Sequence, residues 1–144
     1  MGLSPLQKHL IRRSFGVIAG QSEIIGQLFY ARLFALNADL RTLFQHDMNE
    51  QVNKLMRMIA LCVSCLDDET IFISTVEELG ARHVAYGVRD EHYAVVGEAL
   101  IWALSEGLGT AYSLEVQVAW IALYDLMAQV AIQGAQAAKG GYPT

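Results

Sequence analysis

Apolar residues along this chain recur at three- and four-residue steps, and strict apolar/polar alternation is absent. Ser4-Pro5 reads as an N-cap followed by proline at the first helical position, opening a helix to about Ile18. Gly20-Gln21 break it, and Ser22-Glu23 start a second helix with Ile25, Phe29, Leu33 and Leu36 on one face. A turn-rich piece from Asn37 to Phe44 and a polar loop from Gln45 to Glu50 follow. A third helix begins near Asn49, with Val52, Leu55, Ile59, Cys62 and Leu66 as its core stripe. A helix from about Thr70 carries Ile73, Val76, Leu79 and His83, and ends at Gly87 to Arg89. Asp90 is the expected N-cap of the next helix, which buries Tyr93, Val96, Leu100, Leu104 and Leu108 until Gly107 and Gly109 terminate it. Ser113 caps a last helix with Val116, Trp120, Leu123, Met127 and Val130 facing inward, and the Ala/Gly-rich tail from Gly134 is expected to fray. The prediction is an all-α chain of six to seven helices, one domain over residues 1–144, packed ridges into grooves.

Composition narrows this picture. The chain is 53% hydrophobic and only 17% charged, as for a helical protein with an apolar internal cavity or a buried oligomer interface. The net charge of -5 leaves no basic stripe for nucleic acid and no polybasic segment for anionic lipid. The longest uncharged run, Leu126 to Ala138, is too short to span a bilayer, so no membrane insertion is expected. Lys8, Arg12 and Arg13 precede no apolar signal core, and a cytoplasmic location is expected. Cys62 and Cys65 form a C-x-x-C inside a helical stretch, away from any strand-to-helix turn and without a second ligand pair. They read as two packed, reduced thiols.

Of the four histidines, His9 lies in a polar helix, His46 in a loop and His92 at a helix start. His83 continues an apolar stripe, and on that ground fits either a hydrogen-bonded core residue or a metal ligand. Gln51 lies one turn before Leu55 and shares its face. Tyr30 borders the apolar face of the second helix, where its hydroxyl either finds a partner or snorkels to the surface.

The segment Leu28-Phe29-Tyr30-Ala31-Arg32-Leu33-Phe34 resembles the second helix of bacterial flavohemoglobins. Leu43-Phe44 with Gln51-x-x-x-Leu55 is similar to their distal pocket, and Arg82-His83-Val84 to their proximal segment. Glu91-His92-Tyr93 through Val96-Gly97-Glu98 and Ala119-Trp120-x-x-x-Tyr124 resemble their last two helices, all in the family's order. The resemblance implies a globin fold around heme b, with His83 as the proximal iron ligand. It implies Tyr30 and Gln51 as distal donors to dioxygen, Phe44 stacked on the porphyrin and Leu55 closing the distal side. Tyr93 would pack against His83, while Lys54, and less directly Arg82, would pair with a propionate.

Two departures stand out. The family's glutamate on the last helix, which joins the proximal tyrosine and histidine, falls on Ala135, and no acidic residue follows Asp125. The proline that starts the short third segment is Ala38 here. The resulting expectation is a penta-coordinate heme protein that binds dioxygen reversibly and tightly. It is also expected to support nitric oxide dioxygenation, with an external reductase since no G-x-G-x-x-G motif is present. The other readings are a gas or redox sensor module acting through a separate partner, and a structural helical bundle.

Overall fold

The computed structural model describes residues 2–44, 47–85 and 87–140. The described residues form α1 (Pro5–Ala19), α2 (Ser22–Leu36), a 3-10 helix (Ala38–Leu43), α3 (Met48–Ser64), α4 (Glu69–Ala85), α5 (His92–Leu108), a 3-10 turn (Gly109–Ala111) and α6 (Leu114–Gly140). His46, the expected loop histidine, lies outside them.

Local chemistry sets most boundaries. Ser4 and Gln7 form a reciprocal capping box ahead of Pro5. The Asn37 side chain accepts from Asp39 N–H and starts the 3-10 helix, in the segment where the family's proline is missing. The expected cap at Ser113 is present, its Oγ accepting from Val116 N–H at 3.2 Å. Gly87 and Gly109 adopt φ of +87° and +54°, the left-handed region that glycine enters without strain.

Three expectations are corrected. Glu91, not Asp90, is the N-cap residue of α5, and it makes no side-chain capping bond. Gly107 does not end α5 but lies within it, because a Cβ there would collide with Ile25 and glycine lets α2 approach. The segment from Gly134 to Gly140 remains helical, held by burial of Gly134 and Ala135.

α2 crosses the middle of the molecule with Ile25, Phe29 and Leu33 buried, and packs on α5 and α3. α1 is pinned to α6 by a buried hydrogen bond, Trp120 Nε1–H to Ser14 Oγ at 2.8 Å, and Ser14 in turn donates to Leu10 O. α6 is long and apolar enough to cross a membrane by length and composition. In this fold its inward stripe of Val116, Ala119, Trp120, Leu123, Val130 and Ala131 is core.

The closest helix crossing is between α4 and α6. A Cβ on Gly80 would strike the Ala131 backbone, and one on Gly134 the Glu77 backbone. α4 thus packs chiefly on α6, while α3 packs on α2 and α1. Cys62 and Cys65 are buried and unpaired, one inside α3 and the other at its C-cap. Burial pushes the Cys62 thiol up to about 12, so it stays protonated.

Gly134→Ala is expected to lower stability by about 1–3 kcal/mol, the usual range for overpacking. Gly16→Ala, on an exposed helix position with open space around it, is expected to raise it by about 0.5–1 kcal/mol. Urea unfolding midpoints check both, and equal effects would contradict backbone contact at the seam.

Candidate functional site

His83 sits in the last turn of α4, where the α4–α6 crossing fixes its height. It is half-buried, and its Nδ1 lies 3.4 Å from the Tyr93 hydroxyl, the rings 6.3 Å apart between centroids. Burial, and then the neighbouring Arg82 charge, lower its pKa, so the imidazole is neutral at pH 7. The Tyr93 hydroxyl is within reach of only one imidazole nitrogen, and Nε2 makes no hydrogen bond to a described residue.

Tyr93 is itself fixed from behind. The Tyr124 hydroxyl donates to Tyr93 O at 2.6 Å, and Tyr124 lies so close to Gly97 that a Cβ there would overlap its ring. Burial raises the phenol pKa of both tyrosines, most strongly that of Tyr124. The Asp90 charge, one turn earlier in the chain, is the second cause of the rise at Tyr93.

The other set of predicted residues gathers around Tyr30. Tyr30 is 5% exposed and its hydroxyl donates to the Gln51 carbonyl at 3.3 Å, a long bond. The snorkelling alternative therefore fails for Tyr30. Its ring makes edge contacts with Phe29 at 4.8 Å and Phe44 at 5.2 Å, and Phe34 also faces Phe44. Burial pushes the Tyr30 hydroxyl up to about 12, so it remains a proton donor.

Gln51 and Ser14 are the buried polar residues among those described. Unlike Ser14, Gln51 makes no side-chain hydrogen bond to a described residue. Its amide is thus not taken up by another described residue and is available to a ligand. Leu55, one turn on, and Phe44 are half-buried beside the core. The turn after α4 reaches the segment before Phe44, since a Cβ on Gly87 would sit 3.3 Å from Leu43.

Lys54 and Arg82 stand apart from this core. Lys54 is exposed and lies 3.6 Å from Glu50, one turn earlier on α3. Arg82 is exposed and makes no ion pair among the described residues. His92, with Nδ1 accepting from Arg89 N–H at 3.0 Å, serves the turn before α5, and His9 is exposed. Sequence reasoning gave Asp90 only a capping role and Tyr124 none. Tyr124 stood in a quoted motif, whereas nothing local marked Asp90 as a neighbour of a phenol.

The lowered His83 pKa carries a sign for stability. Below its ordinary value of 6.5 the unfolded chain takes up the proton first, so the unfolded state binds more protons. The heme-free protein is therefore expected to lose stability as pH falls from 6.5 toward the lowered folded value. His83→Gln should flatten that slope in thermal melts across pH 7 to 5, and an unchanged slope would contradict a buried neutral imidazole.

Comparison with known proteins agrees with this geometry. Residues 27–131 match the Globin family model. The flavohemoprotein of Bordetella pertussis is 33% identical over 133 residues, covering 90% of this chain, and the chain spans 33% of that protein's length. The neuroglobin of Chaenocephalus aceratus is 34% identical over 146 aligned residues, covering 92% of each. An engineered carbene transferase from a candidate nitric oxide dioxygenase of Rhodothermus marinus superposes with a TM-score of 0.81 at 26% identity, covering 96% of this chain and 97% of that one. A bacterial globin from Campylobacter jejuni shares the fold at a TM-score of 0.82 and 20% identity, covering 95% and 99%. With six α-helices wrapped around a half-buried histidine and a buried tyrosine–glutamine pair, and with this match over most of its length, the chain belongs to the globin family.

Proposed function

We propose that this chain binds heme b through His83 Nε2, holds dioxygen with high affinity and supports oxidation of nitric oxide to nitrate. The observation that carries the reading is the buried Tyr30–Gln51 pair on α2 and α3, together with a neutral His83 on α4. The donor set fits the group: a neutral imidazole with Nε2 uncommitted, a glutamine amide not bonded to a described residue, and aromatic and aliphatic side chains at Phe44 and Leu55. Lys54 and Arg82, both exposed, would pair with its carboxylates.

When bound, heme supplies reversible dioxygen binding at ferrous iron and, with nitric oxide as co-substrate, nitrate formation that leaves the iron ferric. Tyr30 and Gln51 do the rest on the distal side. The Tyr30 hydroxyl, which keeps its proton, would exchange its long bond to the Gln51 carbonyl for the ligand, and the Gln51 amide would donate beside it. Each hydrogen bond to a partly negative ligand contributes about 1–2 kcal/mol. Together they would slow ligand loss by about 10²-fold, which favours retention over unloading. Leu55 and Phe44 keep water from the same space.

The sixth position is proposed to be open, because α3 contains no histidine and the Tyr30 hydroxyl is turned to the Gln51 carbonyl. Re-reduction is assigned to an electron donor outside these 144 residues, which carry no dinucleotide-binding glycine motif. The nitric oxide reading draws on the flavohemoprotein relative and the dioxygenase-derived neighbour. The Phe44–Gln51 turn and the Arg82-His83 pair also resemble those of Hell's Gate globin, a single-domain member of the family.

Tyr30→Phe and Gln51→Ala are each expected to speed dioxygen release about tenfold, the equivalent of about 1.4 kcal/mol. Stopped-flow release rates check this, and unchanged rates in both variants contradict the retention reading. Rapid mixing of the dioxygen form with nitric oxide should give stoichiometric nitrate; its absence removes the dioxygenase part alone.

A further inference from the structure

The turn between α4 and α5 carries a half-buried carboxylate, Asp90, with one oxygen out of solvent. Two successive turn bonds, His92 N–H to Arg89 O at 3.0 Å and Tyr93 N–H to Asp90 O at 3.2 Å, hold Asp90 one helical turn before Tyr93. Side chains three apart in such a turn share a face. Tyr93 in turn meets His83 at 3.4 Å, and Tyr124 locks the Tyr93 backbone. A carboxylate, a phenol and an imidazole therefore lie in sequence, contributed by the turn, α5 and α4.

The phenol proton has two orientations. Pointed at His83, it makes Nδ1 an acceptor and puts the imidazole proton on Nε2, where it blocks a metal. Pointed away, it leaves the phenol oxygen to accept from Nδ1–H, and Nε2 keeps its lone pair. A nearby negative charge favours the second orientation, because the O–H dipole turns its proton toward the anion. Ligating histidines in general rely on such a partner at the nitrogen away from the metal.

We propose that Asp90 is a positioning residue for His83, acting through Tyr93: its carboxylate draws the phenol proton away from the imidazole and so fixes the Nδ1–H tautomer with Nε2 free for iron. The inference rests on His83 being the iron ligand. It also accounts for Ala135. That position is 2% exposed, next to the backbone contact of Gly134 on α4, so a carboxylate there would be shut into the closed seam. The turn before α5 brings the acid from the other side, where it keeps some contact with water.

The test is the iron–histidine stretch of the heme-loaded ferrous protein, read by resonance Raman, together with heme loss to an apoglobin acceptor. Asp90→Asn keeps the shape and removes the charge. It should move the band to lower frequency and speed heme loss about tenfold. Asp90→Glu should restore the wild-type band. In a Tyr93→Phe background, Asp90→Asn should have no further effect on the band. An unmoved band in Asp90→Asn, or the same shift with and without the Tyr93 hydroxyl, overturns the proposal while leaving His83 ligation intact. A wild-type protein with no iron–histidine band overturns His83 ligation and this proposal with it.

Discussion

The backbone contact between α4 and α6 is the constraint on which the site depends. Gly80 and Gly134 let the two helices touch without side chains between them, Gly80 against Ala131 and Gly134 against Glu77. Contact that close holds α4 as a rigid element, so the position of His83 along it cannot drift. It also commits α4 to α6, leaving α3 to pack on α2 and α1. The glutamine on α3 and the histidine on α4 therefore belong to helices held by different partners.

The polar groups within this frame divide into those the chain satisfies and those it does not. Trp120, Tyr30 and Tyr124 each donate to a protein oxygen, as buried donors must. Gln51 and the Nε2 of His83 make no such bond to a described residue. Such uncommitted groups can bond a ligand without breaking a bond already made within the chain. The two belong to opposite halves of one reading, with Gln51 as a donor to the ligand and His83 as a base toward the metal.

Much of the helical plan was legible in the sequence because it is local. The capping box at Ser4, the Ser113 cap and the core stripe of α3 need only neighbours a few residues away. Tyr30, Gln51, His83 and Tyr93 were legible as a set, since their order along the chain resembles a family whose membership the comparisons establish. What local pattern misjudged depends on distant contacts. Gly107 and Gly134 look like helix breakers, yet α2 and α4 press against them and the helices run on. Asp90 looks like a cap, but Glu91 takes that position and the Asp90 charge bears on the Tyr93 phenol.

The central claim is that His83 Nε2 holds a heme iron. Titrating heme into the His83→Gly protein, with and without free imidazole, tests it most directly. If His83 is the ligand, the variant lacks the wild-type Soret and visible bands, and added imidazole restores them by filling the vacated position. Wild-type bands in His83→Gly without imidazole would contradict the assignment.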